Sequence, residues 1–451
     1  MSENEPANPT RSLPALTQAA ILRIYYPLAA SWLLMAIEAP VAVAIISRLP
    51  EATIATAGFL ILGSLALWIE SPVIDLLATS TTLSTSHERF CRIRKFTLLL
   101  IAIVTAAHAI CAFGPVYRWI TLGVLGVSRE ISDAVHPGMV IMIPWSGCIG
   151  WRRFLQGVLI RNGYTKAVGV GTAVRATTMI AVGVLLYQFT QMPSIQVVAW
   201  ALVSSVATEA AFVHFAAHKL AIPSLPKISS APLGFRDLSK FHLPLSATTM
   251  ITLTSPPIIA GFLARTADSV AGMAAWQVAT TVLFLHRTVV FALPEVVIYL
   301  QKDEHTRGEL RRFCLTVGAV ASLTALLVSV SGLGEWIFRE LLGAEAGIAS
   351  LAVIGLAVGA LTPLIGAMQS FARGMLTARH ITMARLGGIV VGMVALIATL
   401  GGGVAAHMKN VALAPFALTV ALAAEYAFLA WSLVRSDATY VMPTAEESAS
   451  P

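Results

Sequence analysis

FLQGVLIRNGYTKA at residues 154–167 and FARGMLTARHITMA at residues 371–384 are two versions of one stretch. At an offset of 217, Phe154 falls on Phe371, Gly157 on Gly374, Leu159 on Leu376, Thr165 on Thr382 and Ala167 on Ala384. Moving outward at that offset, Pro27, Leu28, Pro40 and Arg48 meet Pro244, Leu245, Pro257 and Arg265. At 216, TEAAF from Thr208 meets AEYAF from Ala424, which pairs Glu209 with Glu425. Pro72 meets Pro294 only at 222, so one copy carries a short insertion. The chain is an internal duplication.

Composition states what each copy is made of. The 451 residues are 57% hydrophobic and only 12% charged, with a mean hydropathy of +0.79. Charged residues alone run at about 25% in soluble domains, so an ordinary soluble protein is excluded. A membrane helix needs about 20 apolar residues. Apolar runs bounded by polar breaks place spans at 26–48, 54–80, 97–121, 138–160, 167–187 and 196–218, then at 241–264, 270–300, 313–334, 347–371, 384–405 and 411–433. The expected fold is an all-α membrane protein of twelve transmembrane helices in two six-helix lobes. An even number of spans per copy makes the two lobes parallel, the arrangement of transporters whose substrate site lies between repeats. The reading divides the chain into a tail at 1–20, a first lobe at 21–218, a linker at 219–240 rich in Pro223, Pro226 and Pro232, a second lobe at 241–435 and a tail at 436–451.

The net charge of +7 and pI near 9.4 raise nucleic acid as a partner, and the positions of the charges answer it. With the N-terminus inside, twenty Lys and Arg fall on inner connectors and tails, including Arg92, Arg94, Lys95, Arg311, Arg312, Arg373 and Arg385. Six fall outside: Arg48, Arg118, Arg129, Arg265, Arg339 and Lys409. That bias is topogenic and predicts a multi-pass protein of the plasma or bacterial inner membrane with both termini cytoplasmic. The polar first 20 residues do not read as a signal peptide. Trp119, Trp200 and Trp336 near outer edges, with Tyr25, Tyr26 and Trp431 near inner ones, fit interfacial belts. Cys91, Cys111, Cys148 and Cys314 are scattered without a CxxC pair, so no metal site follows from spacing.

Two parallel six-helix lobes, with the turn QGxLxRxGxT at Gln156 to Thr165 and its echo after Arg373, resemble the multidrug and toxic compound extrusion (MATE) superfamily. Within it the chain is most similar to the progressive ankylosis family. The residues that carry this are PALT at Pro14 to Thr17, Pro27-Leu28, Pro72 with Asp75, and Pro144, Trp151 and Gly157. The resemblance implies export of anionic metabolites such as pyrophosphate, ATP or citrate rather than cationic drugs.

An ionisable residue at a helix centre costs about 2.5–3.5 kcal/mol on insertion scales, so each one needs a partner, a wet cavity or a function. Midway along their spans lie Glu38, Arg175, Glu209, His286, Arg287 and Glu425; nearer the inner side are Glu70, Asp75, Arg152, Arg153 and Glu295. Arginine keeps its charge and offers a planar fork to carboxylate or phosphate, so Arg152, Arg153, Arg175 and Arg287 are the candidate lining of an anion cavity. Glu38, Glu70, Asp75, Glu209, His286, Glu295 and Glu425 are candidates for coupling to H+ or Na+, or for pairing that holds the lobes together. Pro40, Pro72, Pro257 and Pro294 are expected helix kinks, where a missing N–H frees a carbonyl beside these acids.

The leading expectation is a secondary active exporter of an anionic organic or phosphate-bearing solute, working by alternating access within the lipid bilayer. It needs no cofactor and no protein partner. The alternatives are a cation-coupled multidrug exporter, with Glu38, Glu70 and Glu209 facing the cavity, and a polyprenyl-lipid or polysaccharide flippase. An intramembrane enzyme is disfavoured: the spans hold a single aspartate, Asp75, with no DxxD, HExxH or GxSxG. A P-loop is absent as well, so this chain does not itself draw on ATP.

Overall fold

The computed structural model describes residues 16–227, 233–301, 304–379 and 381–437. Most of both expected tails, Pro14 of the PALT stretch, Lys302 and the middle of the linker with Pro232 lie outside the described residues. Among the described residues every regular element is helical. Ten helical stretches are long and apolar enough to cross a membrane unaided: Gln18–Ile46, Ala52–Leu83, His87–Ala112, Thr165–Phe189, Ser194–Ala221, Ser269–Leu300, Thr306–Val330, Ala346–Ala378, Met383–Ala405 and Asn410–Asp437. The fourth span is built from Arg129–Ile141 and Ile143–Arg161, and the seventh from Phe235–Thr252 and Ser255–Leu263. With those two the twelve-helix architecture is complete.

The third span departs from its expected bounds of 97–121. It begins at His87, capped by the Ser86 hydroxyl, and ends at Ala112, where Phe113 turns extended ahead of Gly114 and Pro115. Hydropathy marks where a helix meets lipid; the hydrogen-bonded ladder starts earlier, through Arg89, Arg92, Arg94 and Lys95. Tyr26, Trp119, Trp200, Trp336 and Trp431 are exposed, as interfacial rings are. Tyr25 is buried instead, and its hydroxyl donates to the Val289 carbonyl at 2.7 Å.

The duplication is visible in the backbone. The first, second and fourth spans break at Ile37, Asp75 and Met142; the seventh, eighth and tenth break at Leu253–Thr254, at a 3-10 turn Val289–Ala292, and at Ala360–Leu361. Each pair of breaks sits at about one offset of 217. Glu51 and Asp268, 217 apart, both take left-handed φ, at 56° and 53°, just before the second and eighth spans. The glycines of the opening stretch have a packing reason. Ile143–Arg161 crosses the inner segment of the second span so closely that a Cβ on Gly157 would run into the Ser80 side chain and come within 2.5 Å of the Leu77 carbonyl. A Cβ on Gly374 would lie 2.7 Å from Val297 of the eighth span.

Gln18, at the start of the first span, donates to the Glu309 carboxylate at 2.6 Å, and Arg307 pairs with Asp437, at the end of the twelfth, at 2.7 Å. Both described ends therefore meet at the start of the ninth span and define a tail face; the opposite side is the far face. At the far face the second and eighth spans pack on each other, and one apolar core joins the lobes through residues such as Leu62, Leu65, Val278 and Val282. Toward the tail face, Leu76–Leu83 packs on Ile143–Arg161 and Leu293–Leu300 on Thr362–Ala378, each within its own lobe. The tail-face halves of the first and seventh spans cross over. Gln18–Ala36 shares a core with Leu293, Leu310 and Phe371, while Phe235–Thr252 lies along the second span.

Candidate functional site

The intramembrane charges sort into one cluster per lobe. In the first lobe Glu209 is fully buried on Ser194–Ala216. Its carboxylate takes Arg152 Nη1 at 2.5 Å and the Gln156 amide at 3.0 Å, both from Ile143–Arg161, where a four-residue spacing puts the two on one face. Arg175, on Thr165–Phe189, pairs with Glu38 and lies 3.8 Å from Glu209. Its guanidinium also sits 5.8 Å from the Trp145 ring, and the Trp145 indole donates to Glu70. Glu38, Glu70, Glu209, Arg152 and Arg175 thus form one connected network. Arg153, half-buried, makes no hydrogen bond to a described residue, and its Nε is buried without a partner. Asp75, at the break in the second span, has one buried carboxylate oxygen without a partner.

The second lobe holds a rearranged copy. Glu425, the repeat mate of Glu209, is bound by Arg373, whose Nε donates at 3.1 Å and whose Nη2 meets the same oxygen. Arg373 is the repeat mate of Gln156, and Gln369 is the repeat mate of Arg152. Arginine and glutamine have exchanged places along the helix while the pairing with glutamate persists. Where the first lobe has Arg175, the second has Gly392, so Glu425 has one arginine instead of two. Arg373 and Arg385, counted above with the inner connectors, lie within the helices Thr362–Ala378 and Thr382–Ala405. The alignment of Gln156 with Arg373 beside that of Glu209 with Glu425 was the available signal.

Arg287, on Ser269–Thr288, is half-buried, makes no hydrogen bond to a described residue, and lies within electrostatic reach of Arg373, as Arg385 does. Arg287 therefore belongs to the second-lobe cluster, apart from Arg152, Arg153 and Arg175. His286 is satisfied locally, its Nδ1 2.9 Å from the Val282 carbonyl one turn back. Glu295 is exposed on Leu293–Leu300.

The four prolines lie beside the breaks. Pro40 and Pro257 sit in the first turns of Glu38–Ile46 and Ser255–Leu263; Pro72 precedes the break at Asp75, and Pro294 opens Leu293–Leu300. The Pro72 carbonyl is engaged from the seventh span by His242 Nε2 at 2.9 Å and the Ser246 hydroxyl at 3.2 Å, while His242 Nδ1 meets the Thr79 hydroxyl at 2.8 Å. This node, in which His242 and Thr79 are fully buried, ties the lobes together and gave no sequence signal. A cavity of about 720 Å³ lies elsewhere, toward the far face, among Trp68, Trp119, Leu125, Pro257, Phe262 and Arg265.

Two six-helix repeats with paired helix breaks and an ionic cluster in each lobe define the class: an all-helical membrane protein with the fold of MATE transporters. No family model matches the chain, and no curated protein matches it in sequence. The similarity lies in the fold. An inward-facing structure of a multidrug resistance MATE family transporter of the MOP superfamily superposes with a TM-score of 0.75 at 10% identity, over 94% of this chain and 99% of the other. An outward-facing structure described in the same words gives 0.67 at 12% identity, over 94% and 97%. A MOP superfamily transporter from Pyrococcus furiosus gives 0.67 at 13% identity, over 93% and 96%.

Proposed function

We propose that the protein is a secondary active transporter that moves an anionic organic or phosphate-bearing solute by rocking its lobes, 21–218 and 241–435, about the 219–240 linker. One observation carries the anionic assignment. In the second lobe Arg373 binds Glu425, the one buried carboxylate there among the described residues, while Arg287 and Arg385 lie within electrostatic reach of Arg373. In the first lobe Arg152, Arg153 and Arg175 stand among four acids, Glu38, Glu70, Asp75 and Glu209. Guanidinium groups that repel one another in a low-dielectric setting are stabilised by a counter-anion, and the planar fork suits carboxylate and phosphate. Arg287 is the substrate contact of first choice, with Arg373 beside it; Arg153 is the one first-lobe arginine of the original four not committed by a hydrogen bond to an acid. The acid-rich first lobe supplies the coupling step, a proton or Na+ exchanged at Glu38, Glu70 or Glu209.

The resemblance to the progressive ankylosis family supports the same substrate class. A precedent for altered polarity exists on this fold: the Pyrococcus furiosus protein has a binding pocket of reverse polarity that suggests a different function. A second reading, export of a cationic drug, draws on the excess of acid in the first lobe. The positive-inside bias assigns the tail face to the cytoplasm.

The test is metabolite profiling of the medium of cells making the wild-type protein or Arg287→Gln. Wild type is expected to release one or more carboxylates or phosphate esters, and Arg287→Gln to lose that release while its melting temperature holds or rises, since an unpaired cation has been neutralised. Unchanged anion release in Arg287→Gln, or release of cations alone, sinks the assignment.

A further inference from the structure

Arg48 and Arg265, two of the six basic residues on the sparsely charged side, are repeat mates 217 apart, and the structure gives them the same task in opposite directions. Arg48 closes the first span and reaches across to the second lobe. Its Nη1 donates to the Ala44 carbonyl at 2.8 Å, and its Nη2 to the Glu340 and Leu341 carbonyls, both at 2.9 Å. Arg265 closes the seventh span and reaches across to the first lobe. Its Nη1 donates to the Gly261 carbonyl at 2.6 Å and the Leu125 carbonyl at 2.7 Å, and its Nη2 to the Val124 carbonyl at 2.6 Å.

The receiving segments match as closely. Trp119–Val124 and Ile337–Leu341 are short π-helical turns after the third and ninth spans. They close with equivalent bonds, Leu125 N–H to Ile120 and Val127 N–H to Thr121 in one lobe, Leu342 N–H to Ile337 and Ala344 N–H to Phe338 in the other. The final carbonyls of a helix have no intrahelical donor, so each turn presents unused acceptors to the arginine of the opposite lobe. Gly126 and Gly343 follow, in left-handed conformation at φ 71° and 73°. A Cβ on Gly126 would lie 3.1 Å from Arg265 Cζ, and one on Gly343 3.0 Å from Arg48 Nη1. Glycine thus meets two demands at each site, the backbone sign and the room for a guanidinium.

We propose that Arg48 and Arg265 are a two-fold-symmetric latch that holds the far face of the lobes shut and must release both arms for that face to open. They are positioning residues, acting on the lobes and not on the solute. The inference rests on the alternating-access reading, and its test does not use transport. Spin labels at Gln191→Cys and Lys409→Cys, exposed at the far-face ends of the two lobes, are introduced with Cys91, Cys111, Cys148 and Cys314 replaced by alanine. Inter-label distances are then measured in lipid nanodiscs.

The expected result is one dominant short distance for the parent. A longer, far-face-open population should grow in Arg48→Lys and in Arg265→Lys, which keep the charge and lose the fork. In the double variant the open-to-closed ratio should rise about tenfold or more, the scale set by losing several inter-lobe hydrogen bonds to a charged group. Gly126→Ala, which crowds the arginine without removing it, should shift the population the same way. An unchanged distance distribution in the double lysine variant, with its melting temperature intact, overturns the latch. Failure of the transport reading has a different signature: no solute flux in wild type, whatever the distances do.

Discussion

At the scale of single residues, the exchange of arginine and glutamine between lobes is the most informative detail. Glu209 is served by Arg152 and Gln156, and Glu425 by Arg373, with Gln369 at the position of Arg152. Either order along one helix face satisfies a buried glutamate on its neighbour, because residues four apart are stacked one turn from each other. Removing one partner of a buried ion pair leaves the other charge uncompensated, at a cost of about 3–5 kcal/mol. Arg152→Gln is therefore expected to lower the melting temperature sharply. The double variant Arg152→Gln/Gln156→Arg, which recreates the second-lobe order, should recover most of the loss. A thermal-shift series in detergent checks this; a double variant as unstable as the single one would break the claimed equivalence.

At the scale of helices, the breaks and crossings of one lobe recur in the other, and the opening stretch lies at the tightest of them. Gly157→Ala forces a Cβ against the Ser80 hydroxyl, which can turn away only by giving up its bond to the Phe154 carbonyl, and against the Leu77 carbonyl, which cannot yield without moving the second span. Overpacking of that kind costs about 1–3 kcal/mol. Gly169→Ala, on the next helix, meets no atom within 4 Å and serves as the matched control. Limited proteolysis or thermal unfolding is expected to separate the two variants, with Gly169→Ala equal to wild type or slightly more stable because alanine favours the helix. The third span begins ahead of its apolar run, at the Ser86 cap, because the start of a helix is set by hydrogen bonding and capping, whereas hydropathy reports only the surface in contact with lipid.

At the scale of the whole molecule, the lobes share one apolar core at the far face and meet again toward the tail face where the first and seventh spans cross and at the His242 node; on the proposed alternating-access reading this is one end of a rocking cycle. The orientation proposed from the basic connectors makes a direct prediction. In intact cells, a membrane-impermeant thiol reagent should label Gln191→Cys and Lys409→Cys, and Ser224→Cys should react only after permeabilisation, all in a cysteine-free background. Labelling of Ser224→Cys from outside would invert the topology argued from the basic connectors. The His242 node extends the argument to the tail face. His242→Ala leaves the Thr79 hydroxyl without its partner and the Pro72 carbonyl with Ser246 alone, and a larger spread of tail-face distances is expected by the same spin-label method.

Some of this protein is legible in the chain alone. The matched stretches at 154–167 and 371–384, the scarcity of charge and the apolar runs determined a duplicated twelve-helix membrane protein, because hydropathy and internal repetition are properties of the chain itself. The alignment also marked Glu209 with Glu425 and Arg48 with Arg265 as equivalent pairs. What each member touches was decided only by the tertiary structure. Arg152 and Arg175 proved to be committed to acids, Arg287 stood apart near Arg373, and His242 joined the lobes through a carbonyl that carries no sequence signature. The reason is physical: a helix periodicity fixes which face a residue occupies relative to its own neighbours in sequence. The partner across that face is set by how helices far apart in the chain cross, and a single arginine reads the same whether it meets a carboxylate, a carbonyl of the opposite lobe or an open cleft.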